Sequence, residues 1–171
     1  NVNASYKKFD LAADYRFYPS SSGGGMLREG WIGYRFNDSH RLQIGLTTFP
    51  FGILPYTGNN YFFNLNYYVG LEDDADIGIK YLFHKDRWEL SFAYFQNADL
   101  SGTGGDSELS ASRYAYDIAG RDKEAHQGNI RVAYHFGTRW KHQLGGSVLM
   151  GGLYNMDTRK TGLRTAFALH Y

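Results

Sequence analysis

Nine basic side chains fall on one parity of an alternating pattern: Lys8, Arg16, Arg35, Arg41, Lys80, Arg113, Arg131, Lys141 and Arg164. Asp10, Asp14, Asp76, Glu89 and Asp117 fall on the same parity. Fixed positive charge along a watery passage concentrates anions and biases which ions cross. Paired across neighbouring strands, the same residues would instead fill a narrow interior and keep it folded. A complete ten-stranded barrel favours pairing; part of a wider barrel favours a pore wall.

Other constellations are weaker. Glu72-Asp-Asp-Ala-Asp76 offers carboxylate oxygens to Ca²⁺, but its spacing is not that of an EF-hand loop, and a solvated turn is the plainer reading. The six histidines, at 40, 84, 126, 135, 142 and 170, show neither HxxxH nor HExxH spacing. On parity, His135 and His170 face inward and His142 faces outward near a rim. Asp99, Asp106 and His126 make an acid/base set only if separate loops meet, and no motif links them. No Gly-rich phosphate loop or Ser-His-Asp signature is present. The expectation is therefore a non-enzyme with no cofactor and no bound metal.

Ten strands must position these residues. Tyr6–Tyr18 sets Phe9, Leu11, Ala13, Tyr15 and Phe17 opposite Lys8, Asp10, Asp14 and Arg16, because side chains alternate along a strand. The same grammar predicts strands at Arg28–Phe36, Arg41–Phe49, Tyr61–Gly70, Asp76–Phe83, Arg87–Gln96, Arg113–Ile118, Asn129–Phe136 and Trp140–Tyr154, and a last one ending at Tyr171. Pro19–Gly25 and Asn97–Ser112 are Gly- and Ser-rich loops. Pro50–Asn60 is unusually apolar for a solvated loop and is expected to fold against a wall or into a lumen. Long and short connections alternate, except that the longest, between the sixth and seventh strands, falls on the short rim.

Composition narrows the class. A mean hydropathy of −0.48 is too polar for a helical membrane bundle. The uncharged stretch Gly45–Leu71 contains Pro50, Pro55 and four Asn, which argues against a lipid-exposed helix. The chain has no Cys, so neither disulfides nor thiolate metal sites are available. A net charge of +1 makes no case for nucleic acid. No signal peptide is evident, so Asn1 reads as a mature N-terminus or a cut one.

In a soluble barrel or sandwich the apolar stripe would point inward. That would bury about two dozen aromatic rings in one core, with a partner needed for each Tyr hydroxyl. Phe17, Phe36, Tyr61, Phe83, Trp88, Tyr94, Phe136, Trp140, Tyr154 and Tyr171 stand at strand ends, which suits interfacial girdles instead. In Leu163–Tyr171, Leu163, Thr165, Phe167, Leu169 and Tyr171 alternate with Arg164, Ala166, Ala168 and His170. An apolar alternation closed by an aromatic residue resembles the closing-strand signal of bacterial outer-membrane proteins. Phe49-Pro-Phe-Gly52, Gly70-Leu-Glu-Asp-Asp74 and Arg113-Tyr-Ala-Tyr-Asp117 resemble porins, loosely the phosphate-selective type. The resemblance implies a homotrimer of larger barrels, each of about 16–18 strands.

The sequence thus predicts an all-β, antiparallel transmembrane β-barrel over 1–171. It is a single outer-membrane domain or a segment of a larger porin barrel. The expected function is passive diffusion of small hydrophilic solutes with a weak anion preference, the nine basic residues lining the pore and Pro50–Asn60 narrowing it. Expected partners are outer-membrane lipid and lipopolysaccharide, and small solutes or anions; the expected location is the bacterial outer membrane. The alternative is a closed structural or adhesive barrel whose loops bind a partner.

Overall fold

Alternation resolves into nine antiparallel strands: β1 (Val2–Tyr6), β2 (Phe9–Phe17), β3 (Gly25–Arg35), β4 (His40–Thr48), β5 (Ala75–Lys85), β6 (Trp88–Asn97), β7 (Asp122–Phe136), β8 (His142–Asn155) and β9 (Lys160–His170). They form one sheet in chain order, so consecutive strands are neighbours throughout. The computed structural model describes residues 1–17, 19, 25–54, 65–71, 74–97, 118 and 122–171. Among these, β1 and β9 are the sheet's two edges and do not pair with each other, so the sheet is not closed. No described helix is long and apolar enough to cross a membrane, which says nothing of crossing by strands.

Among the described residues, the strands differ from those expected in three places. The expected strand Tyr6–Tyr18 is a hairpin, because the chain reverses at 7–8, where Lys7 takes a φ of 53° and Tyr6 pairs with Phe9. The expected strand Tyr61–Gly70 contains a four-residue helix, α1 (Leu65–Tyr68), while 61–64 lie outside the described residues. The expected strand Arg113–Ile118 also lies outside them, apart from Ile118, which is buried and not in a strand. β7 starts at Asp122, well before the expected Asn129, and a bulge between Ala125 and Gly128 resets its facing.

With these changes the rims sort themselves. Turns at 7–8, 36–39, 86–87 and 137–141 share one rim, and the connections 18–24, 49–74 and 98–121 share the other with the turn at 156–159. The loop that broke the expected alternation now falls among the long ones.

One face of the sheet is an apolar band. On β9, Phe167 is 76% exposed and Leu169 91%, whereas Ala166, Ala168 and His170 on the opposite face are half-buried. Near the short-turn rim the band becomes a ladder of rings. Phe9 lies 5.1 Å from Tyr34, Trp88 4.8 Å from Tyr134, Phe136 5.4 Å from His142, and His142 5.8 Å from Tyr171.

Part of the opposite, inner face is covered by the described residues of the connection between β4 and β5. Phe49 and Phe51 are buried there against Phe95 of β6 and Leu149 of β8, with Leu71, Ala166 and Ala168 packed around them. Gly78 lets the wall close up at this level: a Cβ there would meet the Tyr94 carbonyl oxygen at 2.1 Å and the Phe95 Cα at 2.7 Å. Gly78→Ala is therefore expected to destabilise the sheet by about 1–3 kcal/mol through overpacking, read as a lower denaturant midpoint.

Candidate functional site

The charged residues gather on the inner face in four groups. Between β2 and β4, Asp10 lies 3.2 Å from Arg35 Nε and 3.6 Å from Arg41 Nε. The three sit on adjacent strands, where diagonal neighbours on one face are within reach of long side chains. Nearer the long-loop rim, Asp14 takes a forked pair of hydrogen bonds from Arg16, at 3.0 Å and 2.8 Å. Arg28 joins Asp14 at 3.7 Å and Glu29 at 3.3 Å, and Glu29 also accepts from the Thr48 hydroxyl. A bulge opposite Asp14 and Tyr15 turns Arg28 and Glu29 to the same side.

Glu89 of β6 centres the third group. Arg131 Nη1 lies 3.2 Å from it, His135 Nε2 2.9 Å and His84 Nδ1 3.8 Å. Gln143 Oε1 accepts from Arg131 Nη2 at 3.3 Å and from His170 Nε2 at 3.1 Å. Two strand-end histidines expected to face inward, His135 and His170, thus join one network with Arg131.

The fourth group is acidic and buried. Asp74, Asp76 and Glu124 bring carboxylate oxygens within 4.8 Å of one another. Gln127 donates to Asp76 at 3.3 Å, and Arg164 pairs with Glu124. Asp74 and Asp76 were expected in a solvated turn. Both are buried instead, Asp76 within β5 and Asp74 just before it.

The nine nominated basic residues sort differently from one another. Arg16, Arg35 and Arg41 are paired with carboxylates on the wall. Arg131 and Arg164 are paired and also grip the inward connection. Arg131 Nε donates to the Gly52 carbonyl at 2.9 Å, and Arg164 Nη2 donates to the Val69 and Gly70 carbonyls at 2.6 Å and 2.7 Å. Lys80 donates to the Thr47 hydroxyl and the Thr48 carbonyl, each at 2.7 Å. Lys8 stands in the 7–8 turn and donates to the Phe36 carbonyl at 3.3 Å. Lys141 follows the 3₁₀ turn Thr138–Trp140 at the same rim, exposed. Arg113 lies outside the described residues.

Sequence reasoning missed four members of this wall: Arg28, Glu29, Asp74 and Glu124. Arg28 and Glu29 adjoin in sequence, so strict alternation could not give both one face. With them, most cations of the described wall stand beside a carboxylate. Most of the charge is thus internally compensated, and a mobile ion would meet it as pairs.

An open nine-stranded antiparallel sheet, apolar outside and charged inside, agrees with one further finding. The family model for phosphate-selective porin O and P matches residues 3–162. The chain belongs to that porin family. No curated protein and no solved structure matches it. Porins are channels of the outer membrane rather than a class of enzyme, and an all-β sheet without helical spans is their architecture. In this porin the described parts of the connection, 49–54 and 65–71, are fastened to the inner wall.

Proposed function

We propose that this porin passes phosphate and similar small anions across a bacterial outer membrane by passive diffusion. Lys80 is the wall residue that meets them. The observation behind this assignment is the partnering of Lys80. Unlike Arg16, Arg28, Arg35, Arg41, Arg131 and Arg164, it makes no ion pair with a carboxylate among the described residues. Its ammonium is held by two neutral oxygens, Thr47 Oγ1 and Thr48 O, which fix its place. It sits where the inward connection leaves β4, so the charge stands beside the narrowed part of the lumen.

Orientation follows from the rims. Outer-membrane barrels carry short turns on the periplasmic side and longer loops outside. The 7–8, 36–39, 86–87 and 137–141 rim is then periplasmic, and the rings lining it form the inner-leaflet girdle. Contact with lipopolysaccharide at the long-loop rim and assembly as a homotrimer complete the reading.

The test is conductance in planar bilayers with the reversal potential under a salt gradient, in chloride and in phosphate. The expected wild-type result is a steady current with anion preference. Neutralising Lys80 (Lys80→Gln) removes an attraction of about 1 kcal/mol at 4 Å in water-like surroundings, roughly a fivefold effect on anion over cation permeability. No current, or unchanged selectivity in Lys80→Gln, would count against the reading; no current would instead favour a closed barrel.

A further inference from the structure

The connection between β4 and β5 is fastened to the opposite wall at two separate places. At the first, Gly52 is gripped through both of its backbone polar groups: its N–H donates to Ser147 Oγ at 2.9 Å, and its carbonyl accepts from Arg131 Nε at 2.9 Å. At the second, one guanidinium nitrogen of Arg164 caps the Val69 and Gly70 carbonyls just after α1. The fastened backbone is shaped for these grips. Gly52 and Gly70 have φ of 60° and 61°, and a Cβ on Gly70 would press on Ile118, Glu124 and Asp74. Behind each arginine stands a carboxylate, Glu89 for Arg131 and Glu124 for Arg164, which holds the guanidinium in place.

We infer that Arg131 and Arg164 are positioning residues, two latches that pin the inward connection to β7, β8 and β9 and so set the aperture of the lumen. This rests on the porin reading for its consequence, but the latches themselves do not. Arg131 donates to the Gly52 carbonyl, Glu89 and the Gln143 amide oxygen, and Arg164 to two backbone carbonyls with Glu124 beside it. The role of both is to hold the loop, and contact with the solute falls to other groups.

Two kinds of measurement separate this from a lining role. The first is single-channel conductance together with reversal potential. Arg164→Lys keeps the charge but replaces the planar fork with a single ammonium, which cannot hold the two carbonyls and Glu124 in the same geometry, and Ser147→Ala removes the hydrogen bond to Gly52. Both variants are mild enough to fold, which heat-modifiable migration on a gel confirms. Both are expected to raise conductance while leaving the reversal potential of Arg164→Lys unchanged. Unchanged conductance in both, or a selectivity change in Arg164→Lys without a conductance change, overturns the inference.

The second uses the absence of cysteine from the chain, which makes an introduced thiol the only one. Leu71→Cys places it in the apolar cluster beneath the second latch. A hydrophilic thiol reagent should modify it about tenfold faster when Arg164→Lys is added, the loss expected for charge-assisted hydrogen bonds to the loop. Equal labelling rates overturn the inference. Labelling reads the latch whether or not the protein conducts, so failure of the porin reading and failure of the latch are distinguishable.

Discussion

Replacing Arg131 by methionine is expected to destabilise the folded sheet by about 3–5 kcal/mol, the range for removing one partner of a buried ion pair. The Arg131 side chain is 2% exposed, and three different acceptors converge on it: the Glu89 carboxylate, the Gln143 amide oxygen and the Gly52 carbonyl. Methionine fills much of the volume but satisfies none of them. The Gly52 carbonyl is buried, so its lost bond is not replaced by water, while half-buried Gln143 recovers part of its own. The Glu89 side chain is 32% exposed and recovers some solvation, which places the cost toward the lower end. Denaturant titration in lipid vesicles gives the number. Adding Glu89→Gln should return part of the loss, because the two residues share one network and their effects should not add. Arg35→Met is the contrast: its side chain is 39% exposed, its partner Asp10 also touches Arg41, and it should cost no more than about 1 kcal/mol. A loss below about 1 kcal/mol for Arg131→Met would mean that water already reaches this network.

The difference between these two arginines could not be read from sequence, although their facing could. Period-two alternation assigns each strand residue to a side, and a one-residue slip would invert a whole strand, so the apolar stripe fixes the facing. Phe9, Leu11, Tyr15 and Phe17 face out and Asp10 and Asp14 in, as their parity requires. What alternation does not encode is where a strand ends without a turn residue. Lys7 and Lys8 reverse the chain with no Gly, Pro, Asn or Asp between Tyr6 and Phe9, so two strands read as one. Nor does it distinguish an apolar segment facing lipid from one facing the inner wall. Leu65–Tyr68 has the composition of a strand but is helical, in a connection that packs on the sheet rather than joining it.

Pairing was less visible still. Arg131 meets Glu89 only because β6 and β7 align Ser91 with Arg131, and Arg164 meets Glu124 only after the β7 bulge turns Glu124 inward. The apolar character of Pro50–Asn60 pointed to the lumen, and the described part of it, to 54, does lie against the inner wall. The groups that hold it there come from β7, β8 and β9, strands far along the chain. A loop's sequence says that it needs a cover, and only the fold says which residues supply it.

Phe167→Arg carries the other large effect, and it tests the membrane itself. Phe167 stands near the middle of β9, opposite Val148 at the centre of β8, on the face where Leu163 and Leu169 are also exposed. In a sheet facing water, an exposed Phe replaced by Arg would change stability by no more than about 0.5 kcal/mol. In a sheet facing hydrocarbon, a guanidinium near the midplane costs about 2–4 kcal/mol, and the cost falls to about 0–1 kcal/mol near the interfaces. Phe167→Arg is therefore expected to lower unfolding stability in phosphatidylcholine vesicles by about 2–4 kcal/mol. Leu163→Arg, closer to the long-loop rim, should cost less, because the same side chain has a shorter way to the headgroups and the charge can leave the hydrocarbon. The gradient between the two positions matters more than either value. A depth-dependent loss requires lipid on this face, whereas equal small effects at both would mean that the apolar band is covered by protein or water and that the sheet does not span a bilayer.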